Sequence, residues 1–153
     1  MSIQIDQSGK IEDTSKPTVI ALASKKISRS ILLQAEDKRL VQTIYRKTGK
    51  PRLFVLQVFS ALIYLLIERC NCSQQVIIID HEYPGHEELI RSYIMQLIHK
   101  YKNVKIDPHH IRFGYVGKHS QAHKIANTGL YHKKADSIVT FAELRKVLRL
   151  YER

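Results

Sequence analysis

Three aspartates, spread over almost the whole chain, are the residues best suited to chemistry. Asp6 follows the alternating segment Ile3-Gln4-Ile5, Asp80 closes the apolar run Val76-Ile77-Ile78-Ile79, and Asp136 lies in His132-Lys133-Lys134-Ala135-Asp136. Carboxylates at strand ends can converge at one edge of a sheet and bind hard divalent cations through oxygen. Two such cations clamp the attacking and leaving oxygens of a phosphodiester. The expected ligand set is therefore Asp6, Asp80 and Asp136, with Mg²⁺ or Mn²⁺ as the cofactor.

These residues need elements to bring them together. Ile3 to Ile5 begins a strand, and Gln7-Ser8-Gly9 is turn-prone. Thr18 to Ala23 and Ile27 to Leu33 read as two more strands, joined through Lys25-Lys26. Three strands in series predict an antiparallel meander. Leu40, Val41 and Ile44 then mark a short helix ending near Thr48-Gly49, and Pro51 is placed to open the apolar helix that follows. Val76 to Asp80 is a buried strand. Leu89, Ile90, Tyr93, Ile94, Leu97, Ile98 and Tyr101 fall on one helical face. Ile111 to Val116 is a strand after Asp107-Pro108, and the C-terminal segment through Leu144, Val147, Leu148 and Tyr151 is helical. Helices between the later strands imply parallel crossovers, which makes this an α/β domain with a mixed sheet.

With 153 residues, one domain covering 1–153 is expected. Lys plus Arg outnumber Asp plus Glu by eleven (25 − 14), so a polyanion such as nucleic acid is the expected partner. Cys70 and Cys72 are too few for a zinc site and closely spaced for a disulfide, so they read as reduced thiols. No signal-peptide pattern opens the chain, and Leu53 to Ile67 is too short an apolar run to span a bilayer. A cytoplasmic protein with no membrane partner is the expectation.

At the level of motifs, the chain resembles the ribonuclease H-like superfamily, most closely the type 1 ribonuclease H pattern. Ile5-Asp6-Gln7-Ser8-Gly9 is similar to that family's first strand ending in Asp-Gly-Ser, with Gln7 in place of the glycine. Val76 to Asp80 is similar to its fourth strand, and Tyr115-Val116-Gly117-Lys118-His119 to the end of its fifth. His132 to Ile138 is similar to its final Ala-Asp motif. The resemblance implies a five-stranded mixed sheet with helices on both faces. It also implies hydrolysis of phosphodiesters, with the RNA strand of an RNA–DNA hybrid as first candidate, and a proton-transfer role for His119. It departs from the family at Gln57, where an acid is usual near the start of the helix before the fourth strand. Glu36, Asp37 and Glu68 are the possible substitutes. The departure leaves open an alternative, a ribonuclease H-like module that binds nucleic acid without cleaving it.

Arg46, Lys47, Lys50 and Arg52 crowd one loop that is expected to flank Asp80 and grip phosphates, with Lys118 beside His119 and Lys25, Lys26 and Arg29 extending the strip. His81, His86, His109, His110, His123 and His132 lack zinc spacing and are expected at the surface. Around Asp136 two readings are open. Thr140-Phe141-Ala142-Glu143 fits a capping box that starts the last helix, leaving Ser137 to Val139 extended. Alternatively, a helix starting near Asn127-Thr128 contains Asp136.

Overall fold

A computed structural model describes residues 2–72 and 74–152. Alternating apolar residues build β1 (Ser2–Ser8) and continuous buried runs build β2 (Thr18–Ala23) and β3 (Ser28–Leu33), and the three pair antiparallel in series. Helices α1 (Ala35–Lys47) and α2 (Phe54–Cys70) follow, then β4 (Val76–Asp80), α3 (Glu87–Tyr101) and β5 (Ile111–Gly114). β4 lies parallel to β1, and β5 parallel to β4. Helix α4 (Gln121–His132), strand β6 (Ser137–Val139) and helix α5 (Phe141–Leu148) complete the chain.

The fold is α/β with a mixed six-stranded sheet, in the order β5-β4-β1-β2-β3-β6. The expectation of five strands is corrected by β6, which pairs parallel with Ile31, Leu32 and Leu33. Those three residues are buried, and without β6 they would present an unpaired apolar edge. Thr140 caps α5 and Glu143 returns the bond, so the capping-box reading of this segment holds and Asp136 lies outside any helix.

Strand alternation divides the interior into two faces. Ile3, Ile5, Ile20, Leu22, Ile31 and Leu33 join α2 in the main core. Val19, Ala21 and Leu32 point the other way, onto Ala126 of α4. Helices therefore cover both faces. Helix α2 is buried almost all round, and its polar side chains are satisfied internally: Gln57 accepts from Tyr45 Oη (2.7 Å) and Ser60 donates to the Leu56 carbonyl (2.7 Å). The segment Pro51–Cys70 is long and apolar enough to cross a membrane, yet it is mostly buried inside the domain as the core helix.

Helix α4 alone carries the chain from β5, at one edge of the sheet, to β6 at the other. Its twelve residues span about 18 Å, against about 24 Å for five strand spacings, so it must lie across the sheet. Its inward face is Ala122, Ala126 and Gly129, small enough for close approach. A Cβ on Gly129 would sit 2.7 Å from the Lys134 carbonyl and 3.1 Å from Val19. Cys70 and Cys72 form a disulfide at the end of α2, with Cα atoms 5.4 Å apart, which corrects the reading of both as free thiols. The spacing is tight, but the left-handed turn at Asn71 (φ 53°) doubles the chain back.

Candidate metal centre

Ile5 pairs with Ile79 in the parallel β1–β4 ladder, so Asp6 and Asp80 leave adjacent strands side by side at the carboxyl edge. Both point to the α4 face, because Ile5 and Ile79 occupy the main core on the other side. Asp6 is only 4% exposed. One of its oxygens, Oδ1, accepts the Gln7 backbone N–H (2.8 Å), and the other, Oδ2, lies 2.7 Å from Nδ1 of His123. Asp80 Oδ1 accepts the Val116 backbone N–H (2.9 Å), which ties the loop after β5 to the same edge.

The third acid is Glu82. Its backbone N–H donates to the Asp80 carbonyl (2.8 Å), a tight turn that folds the chain back over the strand ends. Oxygens of Asp6, Asp80 and Glu82 all lie within 4.8 Å of one another. Burial pushes the Glu82 carboxyl up to about 8, helped by a hydrogen bond to Asp6 and by the charges of Asp6 and Asp80, with Lys10 opposing. Three carboxylates form a hard oxygen donor set that could hold a metal ion.

Asp136 does not belong to the group, which corrects the expected triad. Its carboxylate accepts the Ser30 backbone N–H (2.8 Å), and its own N–H donates to Ser30 Oγ (3.1 Å). Ser30 is aligned with Ala21, and Ala21 with Asp6, so Asp136 lies beyond two strand spacings, about 10 Å, from Asp6. It fastens the entry of β6 to β3. Gln57 sits on α2, in the core layer on the opposite face of the sheet from the Asp80 side chain, and is bonded there to Tyr45. None of its suggested substitutes reaches the edge either. The Asp37 carboxyl is raised by burial and meets the Phe141 backbone of α5, and Glu68 accepts from Tyr64 at the far end of α2. Glu36 is exposed on α1.

His119 is exposed in the loop before α4, and the imidazole that meets the acids is His123, one helical turn on. Ser120 caps α4 by accepting the His123 backbone N–H (3.1 Å), which sets that histidine in the first turn beside the inward Ala122 and Ala126. A carboxylate oxygen accepts, so Nδ1 of His123 is assigned as the donor to Asp6.

Arg46, Lys47, Lys50 and Arg52 are exposed, but the loop is anchored by Tyr45 and Phe54, packed edge to face (5.8 Å) in the helix layer on the other side of the sheet. The cations on the acids' face are different. Lys118 is exposed two residues past Val116. Lys25 and Lys26 line a groove of about 610 Å³ with Gln4 and Gln121. A second groove, of about 620 Å³, shares Gln121 and is lined by Lys124 and Lys134.

No family model, no curated protein and no solved structure matches this chain.

Proposed function

We propose that this chain is a ribonuclease H-like, divalent-metal-dependent hydrolase of phosphodiester bonds in nucleic acid. One observation carries the reading: Asp6, Asp80 and Glu82 gather within 4.8 Å at the carboxyl ends of adjacent parallel strands. The antiparallel meander followed by two parallel strands beside β1 supports the fold assignment, and the excess of eleven positive charges supports a polyanionic substrate.

Asp6, Asp80 and Glu82 would hold Mg²⁺ or Mn²⁺, which when bound supplies Lewis-acid activation and neutralises charge on the phosphoryl group. The chain's own residues do the rest. Asp6 orients His123 through Nδ1, which places an imidazole beside the acids as the candidate general base. The Val116 backbone holds Asp80 against rotation. Glu82 must surrender its proton before it can serve as an anionic ligand, which links metal uptake to pH.

The experiment is a cleavage panel in Mg²⁺ and Mn²⁺ with RNA–DNA hybrid, single strands, duplex and a four-way junction. Turnover that vanishes in Asp80→Asn and Glu82→Gln supports the reading, and turnover that survives both removes it. A second reading, a binding module without chemistry, is favoured by one observation: both oxygens of Asp6 already accept hydrogen bonds. Saturable Mn²⁺ binding separates the two.

A further inference from the structure

Most tyrosines of this chain are packed; Tyr115 and Tyr131 are not, and Tyr115 is the one that lies beside the acids. Its ring is 83% exposed, the residue immediately before the Val116 N–H that binds Asp80. Gly114 pairs with Asp80, so Tyr115 stands one residue past the end of β5, at the edge where the acids gather. One side of the Tyr115 ring lies against Gly117, where an added Cβ would sit 3.3 Å from Cε1, and the rest of the ring is open to a flat partner.

The electrostatic setting narrows that partner. On the face where the acids lie, Gln4 is two residues from Asp6 on the same side of β1, and it lines the groove that carries Lys25 and Lys26. The adjoining groove along α4 carries Lys124 and Lys134. An exposed ring beside the acids, with lysine-lined grooves on the same face, is the combination that binds an unpaired strand: bases stack on the ring while phosphates meet the cations. A duplex presents backbone and base edges and keeps the faces of its bases covered, so it has nothing to stack on Tyr115.

We infer that the substrate of the centre is a nucleic-acid strand unpaired at the cleavage point, with a base stacked on Tyr115 and its backbone directed towards Lys25, Lys26 and Lys124. This rests on the hydrolase reading above for the chemistry, but the stacking contact is measurable without it.

The test is fluorescence anisotropy with a short labelled oligonucleotide, single-stranded or annealed to its complement, in EDTA so that nothing is cleaved. Tyr115→Ala should weaken single-strand binding by about tenfold, with Tyr115→Phe within about twofold of the parent chain, because the stacking face survives loss of the hydroxyl. Binding of the blunt duplex should be indifferent to either change. An unaltered thermal midpoint confirms that these exposed-site variants are folded. Undiminished single-strand binding in Tyr115→Ala, or an equal loss for duplex, overturns the inference even if the cleavage panel is positive. Tyr115-dependent binding with no cleavage in any metal sustains the stacking contact alone and removes the hydrolase reading, and with it the strand's role as substrate. No binding of any strand removes both.

Discussion

Glu82→Gln separates the electrostatics of the centre from its packing. In the folded chain the Glu82 carboxyl is pushed up to about 8, against an ordinary value of 4.5, by burial, by its hydrogen bond to Asp6 and by the neighbouring carboxylates. An acid raised on folding leaves stability intact below its unfolded value and erodes it as pH rises through the folded one. For these two values, raising the pH from about 6 to about 9 costs on the order of 2 kcal/mol once solvent screening of the partly exposed carboxyl is discounted. In a chain of this size that is roughly 4–8 °C in thermal midpoint. Glutamine mimics the protonated acid: its amide donates to Asp6 and does not titrate. The difference between parent and variant therefore isolates this carboxyl. That difference is needed because burial pushes Lys38 down to about 8, and its contribution rises with pH at the top of the range. The assay is thermal or urea unfolding in EDTA across that pH range. The parent should lose stability relative to Glu82→Gln as pH increases, and Mn²⁺ should restore it in the parent alone. Parallel pH profiles for the two proteins would refute the reasoning.

Lys38 is fully buried on α1 and donates to the carbonyls of Lys10 (3.1 Å) and Asp13 (2.7 Å), so Lys38→Met strands both acceptors. It should cost about 2 kcal/mol in urea unfolding and make the loop before β2 an early site of limited proteolysis. Gly129→Ala drives a Cβ to 2.7 Å from a backbone carbonyl, so α4 must shift. A loss of about 1–3 kcal/mol should be accompanied by reduced turnover, because α4 carries His123. Replacing Lys25 and Lys26 with Gln should flatten the log–log salt dependence of single-strand binding by about 0.7 for each lost contact. The same change at Lys47, Lys50 and Arg52 should leave the slope alone, as measured by anisotropy over a salt series.

The elements that bury large apolar side chains were legible in the sequence. The Val76–Asp80 run, the meander and the face of α3 all announce themselves by period, and Thr140 to Glu143 announces the start of α5. From them the juxtaposition of Asp6 and Asp80 follows. Helix α4 was not legible, because it meets the sheet through Ala122, Ala126 and Gly129, which give little hydrophobic signal. With α4 unseen, His123 could not be preferred to His119. Glu82 was hidden for another reason: it reaches Asp6 by a backbone turn after the strand, and no side-chain periodicity reports that turn. Asp136 matched a sequence pattern but is held at the far edge by Ser30, a contact 106 residues apart in the chain. Placing the basic loop required knowing which face α2 covers.

The central claim is that Asp6, Asp80 and Glu82 form the metal centre and Asp136 does not. Titration of Mn²⁺ into the purified chain near neutral pH, followed by calorimetry, tests it most directly. The account predicts saturable binding with proton release, lost in Asp6→Asn and Asp80→Asn, sharply weakened and without the proton release in Glu82→Gln, and unchanged in Asp136→Asn. Absence of saturable binding, or its loss in Asp136→Asn with retention in Glu82→Gln, would contradict it.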